Sequence, residues 1–169
     1  MTTKRSTLYR LILETFLSGC VLLFAVPLKA LKIAHSIDAS KIEVQAAKEV
    51  RRYIFLRTGI APEVISANSY ADLPDCDVIV VGADNKSIIA KLKSEYGNVD
   101  APDSDNRKGY ILKSINKNDR HILVITGADP VTTLTAAYRF AETIGCYFNL
   151  AGDVIPDQKL ACPLDISDY

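Results

Sequence analysis

The sequence predicts an α/β (α+β) domain built on a mixed β-sheet, and three observations predict it. Two apolar runs rich in β-branched residues, Asp77–Val81 and Ile122–Ile125, have the composition of strands buried on both faces. Each passes through Gly-Ala-Asp, at Gly82-Ala83-Asp84 and Gly127-Ala128-Asp129, into a helical pattern, which is how strands feed helices across one sheet. Gly109–Ile115 and His121–Ile125 flank the polar stretch Asn116–Arg120, and that pairing predicts an antiparallel hairpin. Parallel and antiparallel neighbours together make the sheet mixed, in a two-layer or a three-layer domain.

In chain order, Leu31–His35 is a first short strand. Ser40-Lys41-Ile42-Glu43 has the spacing of a capping box, in which the Ser hydroxyl and the Glu carboxylate each accept from the other's backbone N–H. The helix that follows carries an apolar stripe of Ile42, Ala46, Val50, Tyr53 and Ile54, and Thr58-Gly59 ends it. Its arginines, Arg51, Arg52 and Arg57, read as a solvated face. Pro62 then introduces an edge strand, Glu63–Ser66, and residues 68–75 form a loop. A helix from about Lys86 to Glu95 leads into an exposed connection, Tyr96–Lys108. Asp129-Pro130 starts the last helix, with Leu134, Ala137, Tyr138, Ala141 and Ile144 turned to a core and Gly145 as the stop. Cys146–Leu150 reads as a returning strand, and Val154–Pro156 as an exit strand.

Composition is that of a globular domain, with 49% hydrophobic and 24% charged residues and a formal net charge of +0. A neutral chain has no broad electrostatic drive toward nucleic acid, so a nucleic-acid partner is not expected. Lys4, Arg5 and Arg10 precede an apolar run from Leu11 to Leu28, the order of a secretory signal peptide, so residues 1–30 read as a signal and the protein as exported, periplasmic or extracellular. Two processing readings compete. Leu17-Ser18-Gly19-Cys20 resembles a lipobox, which would lipidate Cys20 and anchor the mature chain to a membrane, but the apolar run continues past it. Cleavage after Ala30 keeps the whole run inside the signal and is the favoured reading. A retained anchor is marginal beside the roughly 20 apolar residues that a span needs.

Chemistry is sparsely signalled. After the signal, Cys76, Cys146 and Cys162 form no metal-binding spacing; one disulfide is compatible with export, its pair open, and Cys146 reads as a core residue. The Gly-Ala-Asp joints lack a glycine-rich phosphate motif, and a carboxylate at the helix start opposes phosphate, so no nucleotide cofactor is expected. His35 and His121 lie at strand ends without a nucleophile elbow. Glycoside hydrolysis needs two fixed carboxylates; Asp100, Asp103, Asp105, Glu142 and Asp153 are candidates that nothing distinguishes from surface charge. Asp100–Asp105 also lacks the spacing of a calcium loop. No catalytic, cofactor or metal residue is assigned.

Five groups of residues carry a resemblance: Ala46–Val50 with Thr58-Gly59, Gly109-Tyr110-Ile111, Ile122–Gly127 with Leu134–Tyr138 and Glu142, Gly145–Phe148, and Ala151–Pro156. Together they resemble the N-terminal, non-catalytic α/β domain of β-N-acetylhexosaminidases, α-glucuronidases and related bacterial glycoside hydrolases. Thr133 and Ala136 stand where that family often has glycines, and Tyr147 where it has an arginine. The resemblance spans residues 31–156 and implies helices packed mainly on one face of the sheet. It also implies a supporting role beside a catalytic barrel that holds the active carboxylates, with residues 157–169 as the tail leading to it. The expected function is therefore an accessory domain, inactive alone, of an exported enzyme acting on polysaccharide or oligosaccharide. The alternative is a free-standing exported module that binds carbohydrate or a partner protein, with Tyr53, Tyr70, Tyr96, Tyr110 and Tyr147 as the available stacking platforms.

Overall fold

The computed structural model describes residues 30–96, 109–117 and 120–160, apart from the side chains of Tyr70 and Lys117. Cys20, Cys162, Asp100, Asp103, Asp105 and the end of the tail lie outside them. Five strands form one sheet: β1 (Leu31–Ser36), β2 (Glu63–Ala67), β3 (Asp77–Ala83), β4 (Tyr110–Lys117) and β5 (Arg120–Gly127). Their order is β2-β1-β3-β5-β4, parallel throughout except for the edge strand β4, which pairs antiparallel with β5. The sheet is mixed, and the β4–β5 hairpin falls where the sequence placed it. Arg120 is not part of the turn: it opens β5, is buried, and donates Nε to the Cys76 carbonyl at 2.9 Å.

Three helices cover the sheet: α1 (Lys41–Thr58), α2 (Ser87–Tyr96) and α3 (Pro130–Thr143). The period-2 geometry of a strand divides the apolar runs between two cores. Ile33, Ile79, Val81, Leu123 and Ile125 face α1 and α3. Ala34, Val78, Val80, Ile122 and Val124 face α2. The domain thus has three layers, with the two longer helices side by side on one face. Cys146 is buried in the first core and Cys76 in the second, so the sheet separates them and they are free thiols rather than a disulfide pair.

Local chemistry sets the helix ends. Ser40 accepts from the Glu43 N–H at 3.3 Å and Glu43 Oε2 from the Ser40 N–H at 2.7 Å, the reciprocal cap expected of this spacing. Gly59 closes α1 in the left-handed region at φ 80°. The apolar stripe of α1 is buried as expected at Ala46, Val50, Tyr53 and Ile54, but Ile42 is 41% exposed while Glu43 is buried. Glu43 takes the inward place because its second oxygen accepts the Ala83 N–H at 2.8 Å, tying α1 to the end of β3. At α3, Asp129 accepts from the Thr132 N–H at 2.8 Å as the N-cap. The other Gly-Ala-Asp joint is built differently. Asp84 is ion-paired with Lys93 across α2, and its own N–H donates to the Gly127 carbonyl at 2.8 Å.

Among the described residues, the chain does not return to the sheet after α3. β6 (Tyr147–Asn149) pairs only with β7 (Gly152–Val154), as a separate hairpin. Tyr147 and Phe148 are too exposed for a sheet interior, and the three-residue strands end at the Leu150-Ala151 turn. Residues 155–156 lie beyond β7, so the exit strand comes earlier than expected, at Gly152–Val154.

Candidate functional site

The α1–α3 face carries a surface cleft of about 520 Å³ in volume. Its floor is aromatic. Tyr53 on α1, Tyr138 on α3 and Phe148 on β6 meet edge to face, with centroids 6.2 Å apart for Tyr53–Tyr138, 5.6 Å for Tyr53–Phe148 and 5.3 Å for Tyr138–Phe148. That geometry sets the positive ring edge against the negative face of the next ring. Tyr53 is buried, whereas Tyr138 and Phe148 are about one-third exposed and form the accessible corner.

The hairpin register explains the hairpin's contribution. Phe148 and Asp153 are directly paired and share the face turned to the helices; Tyr147 and Val154 are paired on the other. Asp153 is fixed from two sides: the Tyr53 phenol donates to its Oδ2 at 2.7 Å, and Arg52 Nη2 lies 3.0 Å from the same oxygen. Arg52 also donates to the Tyr53 phenol oxygen at 3.0 Å and reaches Glu49 at 3.4 Å. Burial, with the Asp153 contact second, raises the Tyr53 phenol well above its ordinary range, so it stays a donor. Burial likewise raises Tyr138. On the opposite rim Arg139 is ion-paired with Glu142, one helical turn away. This pair also borders a smaller hollow of about 230 Å³ beside Tyr110 and Leu112.

The structure therefore brings Glu142 and Asp153 to one cleft, each against a guanidinium. His35 and His121 stand at opposite ends of the parallel strands and serve no common site. At the two Gly-Ala-Asp joints one backbone N–H each is given to a carboxylate, that of Ala83 to Glu43 and that of Thr132 to Asp129. Among the described residues, no three His, Cys, Asp or Glu side chains gather as a metal site requires, and no helix is long and apolar enough to cross a membrane.

Sequence reasoning missed three features of this face. Tyr138, expected in the core, is instead the cleft's accessible ring, because Thr133, Ala136, Ala137, Phe140 and Ala141 take the buried side of α3. The α1 arginines form a solvated face only in part, since Arg51 and Arg52 are exposed as expected and Arg57 is not. Arg52 lies on the cleft, Arg51 donates Nε to the Pro62 carbonyl at 2.9 Å, and Arg57 is buried. Arg57 clamps the exit segment: Nε donates to the Ile144 carbonyl at 2.7 Å, and Nη1 to the carbonyls of Pro156 and Gln158 at 2.8 and 2.7 Å. The arginines' spacing of five and six residues, which splits them between faces of a helix, was the available signal. Of the tyrosine platforms, Tyr53 is buried, Tyr96 and Tyr110 are half-buried and Tyr147 is exposed.

No protein-family model and no curated protein sequence matches the chain. Among solved structures, the fold is similar to that of CpGH84D, a glycoside hydrolase of family GH84, with a TM-score of 0.50 at 8% sequence identity. The similarity covers 75% of this chain and 20% of that one, so the chain spans about a fifth of the length of the structure it matches.

Proposed function

We propose that this chain is a non-catalytic accessory domain of an exported glycoside hydrolase, held against a separate catalytic domain that supplies the reacting carboxylates. The observation carrying this reading is the fold similarity to CpGH84D, in which the matching fold is a fifth of a much longer chain. The outer face of the β6–β7 hairpin supports it. Tyr147 is 64% exposed, Val154 46%, and Leu150 at the turn is fully exposed, an apolar strip that a partner domain would cover. Arg57 supports it too, because it fixes the course of residues 156–158 and thereby the direction in which the chain leaves. Export, with cleavage after Ala30 or lipidation at Cys20, belongs to the same proposal.

The test is a glycosidase assay on the purified chain, using aryl glycosides of common hexoses, hexosamines and uronic acids. No turnover above buffer is expected. Turnover that co-elutes with the chain through a second purification, and disappears in Glu142→Gln or Asp153→Asn, would overturn the proposal and make the α1–α3 cleft an active site.

A further inference from the structure

We infer that the α1–α3 cleft is a binding site for a neutral saccharide with a flat C–H face, such as a β-linked disaccharide. This deepens the accessory-domain reading, on which it rests, by giving the domain a ligand of its own. Three features of the cleft converge on that chemistry.

The first is shape. Tyr138 and Phe148 stand at 81° to one another, so they form a corner rather than a wall. A pyranose with equatorial hydroxyls carries its axial C–H bonds on its two faces, and the weakly positive hydrogens suit the negative face of an aromatic ring. One ring can take the sugar's face while the other meets its edge. The cleft, at about 520 Å³, is within the range of small-molecule sites.

The second is the rim. Sugar hydroxyls donate and accept at once, so they are best held between a planar donor and a planar acceptor. The cleft provides two such couples, Arg52 with Asp153 and Arg139 with Glu142. In the first, both described contacts to Asp153 fall on Oδ2, which leaves Oδ1 as an acceptor. Both guanidiniums are about half exposed and carry more N–H donors than these contacts use.

The third is charge. Two guanidiniums face two carboxylates among the lining groups, so the cleft has no net charge with which to favour an anion. A uronate or a phosphate would have to displace a carboxylate from its arginine. Preorganisation adds to this, because Asp153 is already held by Tyr53 and Arg52.

The experiment is a titration of the full chain with cellobiose, followed by the aromatic proton resonances of Tyr138 and Phe148. Saturable shifts are expected with a dissociation constant on the order of 1 mM, as befits an open cleft and a small ligand. Tyr138→Ala should weaken binding at least tenfold with an unchanged circular dichroism spectrum, and glucuronate should bind at least tenfold more weakly than cellobiose. Absence of saturable shifts overturns the inference, as do binding that Tyr138→Ala leaves intact or glucuronate binding as tight as that of cellobiose. If Tyr138→Ala does not fold, Phe148→Leu, which keeps apolar volume and removes the ring, replaces it with the same expectation. Cellobiose binding without turnover leaves both readings standing. Turnover in the glycosidase assay strikes the accessory-domain proposal alone, and a flat titration strikes the saccharide site alone.

Discussion

At the scale of single residues, two glycines with the same sequence context have opposite roles. A Cβ built on Gly127 would lie 2.3 Å from the Thr133 backbone nitrogen and 2.4 Å from the Thr132 carbonyl carbon, inside the first turn of α3. Backbone on both sides cannot yield without moving the helix or β5. A Cβ on Gly82 would meet its nearest atom, in the Ile89 side chain, at 3.6 Å, an ordinary contact. Gly127→Ala should therefore cost about 3 kcal/mol or more, while Gly82→Ala should be nearly neutral. Urea unfolding of the two variants checks this, and equal midpoints would contradict it. The difference comes from how closely each following helix crosses its strand, which Gly-Ala-Asp alone does not encode. Asp129 caps its helix and Asp84 pairs with Lys93 for the same reason.

At the scale of elements, α1 organises this face of the molecule. Its first turn is bound to β3 through Glu43, its middle to the hairpin through Arg52 and Tyr53, and its end to the exit segment through Arg57. Arg57 answers three backbone carbonyls, and the Arg57 carbonyl accepts the Leu160 N–H at 2.8 Å. Hydrogen bonds from a charged donor contribute more than neutral ones, and losing the donor strands the buried Ile144 carbonyl. Arg57→Met, which keeps much of the stem volume, should destabilise by roughly 2–4 kcal/mol. It should also expose the 156–160 segment to proteolysis before the sheet unfolds; cleavage there no faster than in the parent chain would refute this. Much of the element scale was legible in the sequence. The capping box, the β-branched runs, the edge strand and the hairpin each follow from local chemistry. The buried charges were not, because Glu43 and Arg57 are ordinary helix-face residues until β3 and residues 144–158 supply the groups they bind.

At the scale of the whole molecule, stability should be unevenly distributed, and the uneven part is the part proposed to meet ligand and partner. β3 and β5 are buried over nearly their whole length by helices on both faces, whereas every residue of β6 and β7 is exposed. A two-stranded hairpin is marginal by itself, so β6–β7 owes its position to Phe148 against the aromatic floor and Asp153 against Tyr53 and Arg52. The strand expected over Cys146–Leu150 is present as β6, but it pairs with β7 rather than with the sheet, since an apolar run reads alike whether it joins a sheet or covers a cleft. Hydrogen exchange should show the hairpin amides opening well below the free energy of global unfolding, with β3 and β5 exchanging only by global unfolding. Tyr53→Phe removes one donor to Asp153 and keeps the ring in the core. It should lower hairpin protection by about 1 kcal/mol, roughly fivefold in exchange rate, and leave β5 protection relative to global stability unchanged. Cellobiose should restore the lost protection by mass action if the cleft holds it. Hairpin amides as protected as those of β5 in the parent chain would instead mean that sheet and hairpin unfold as one unit.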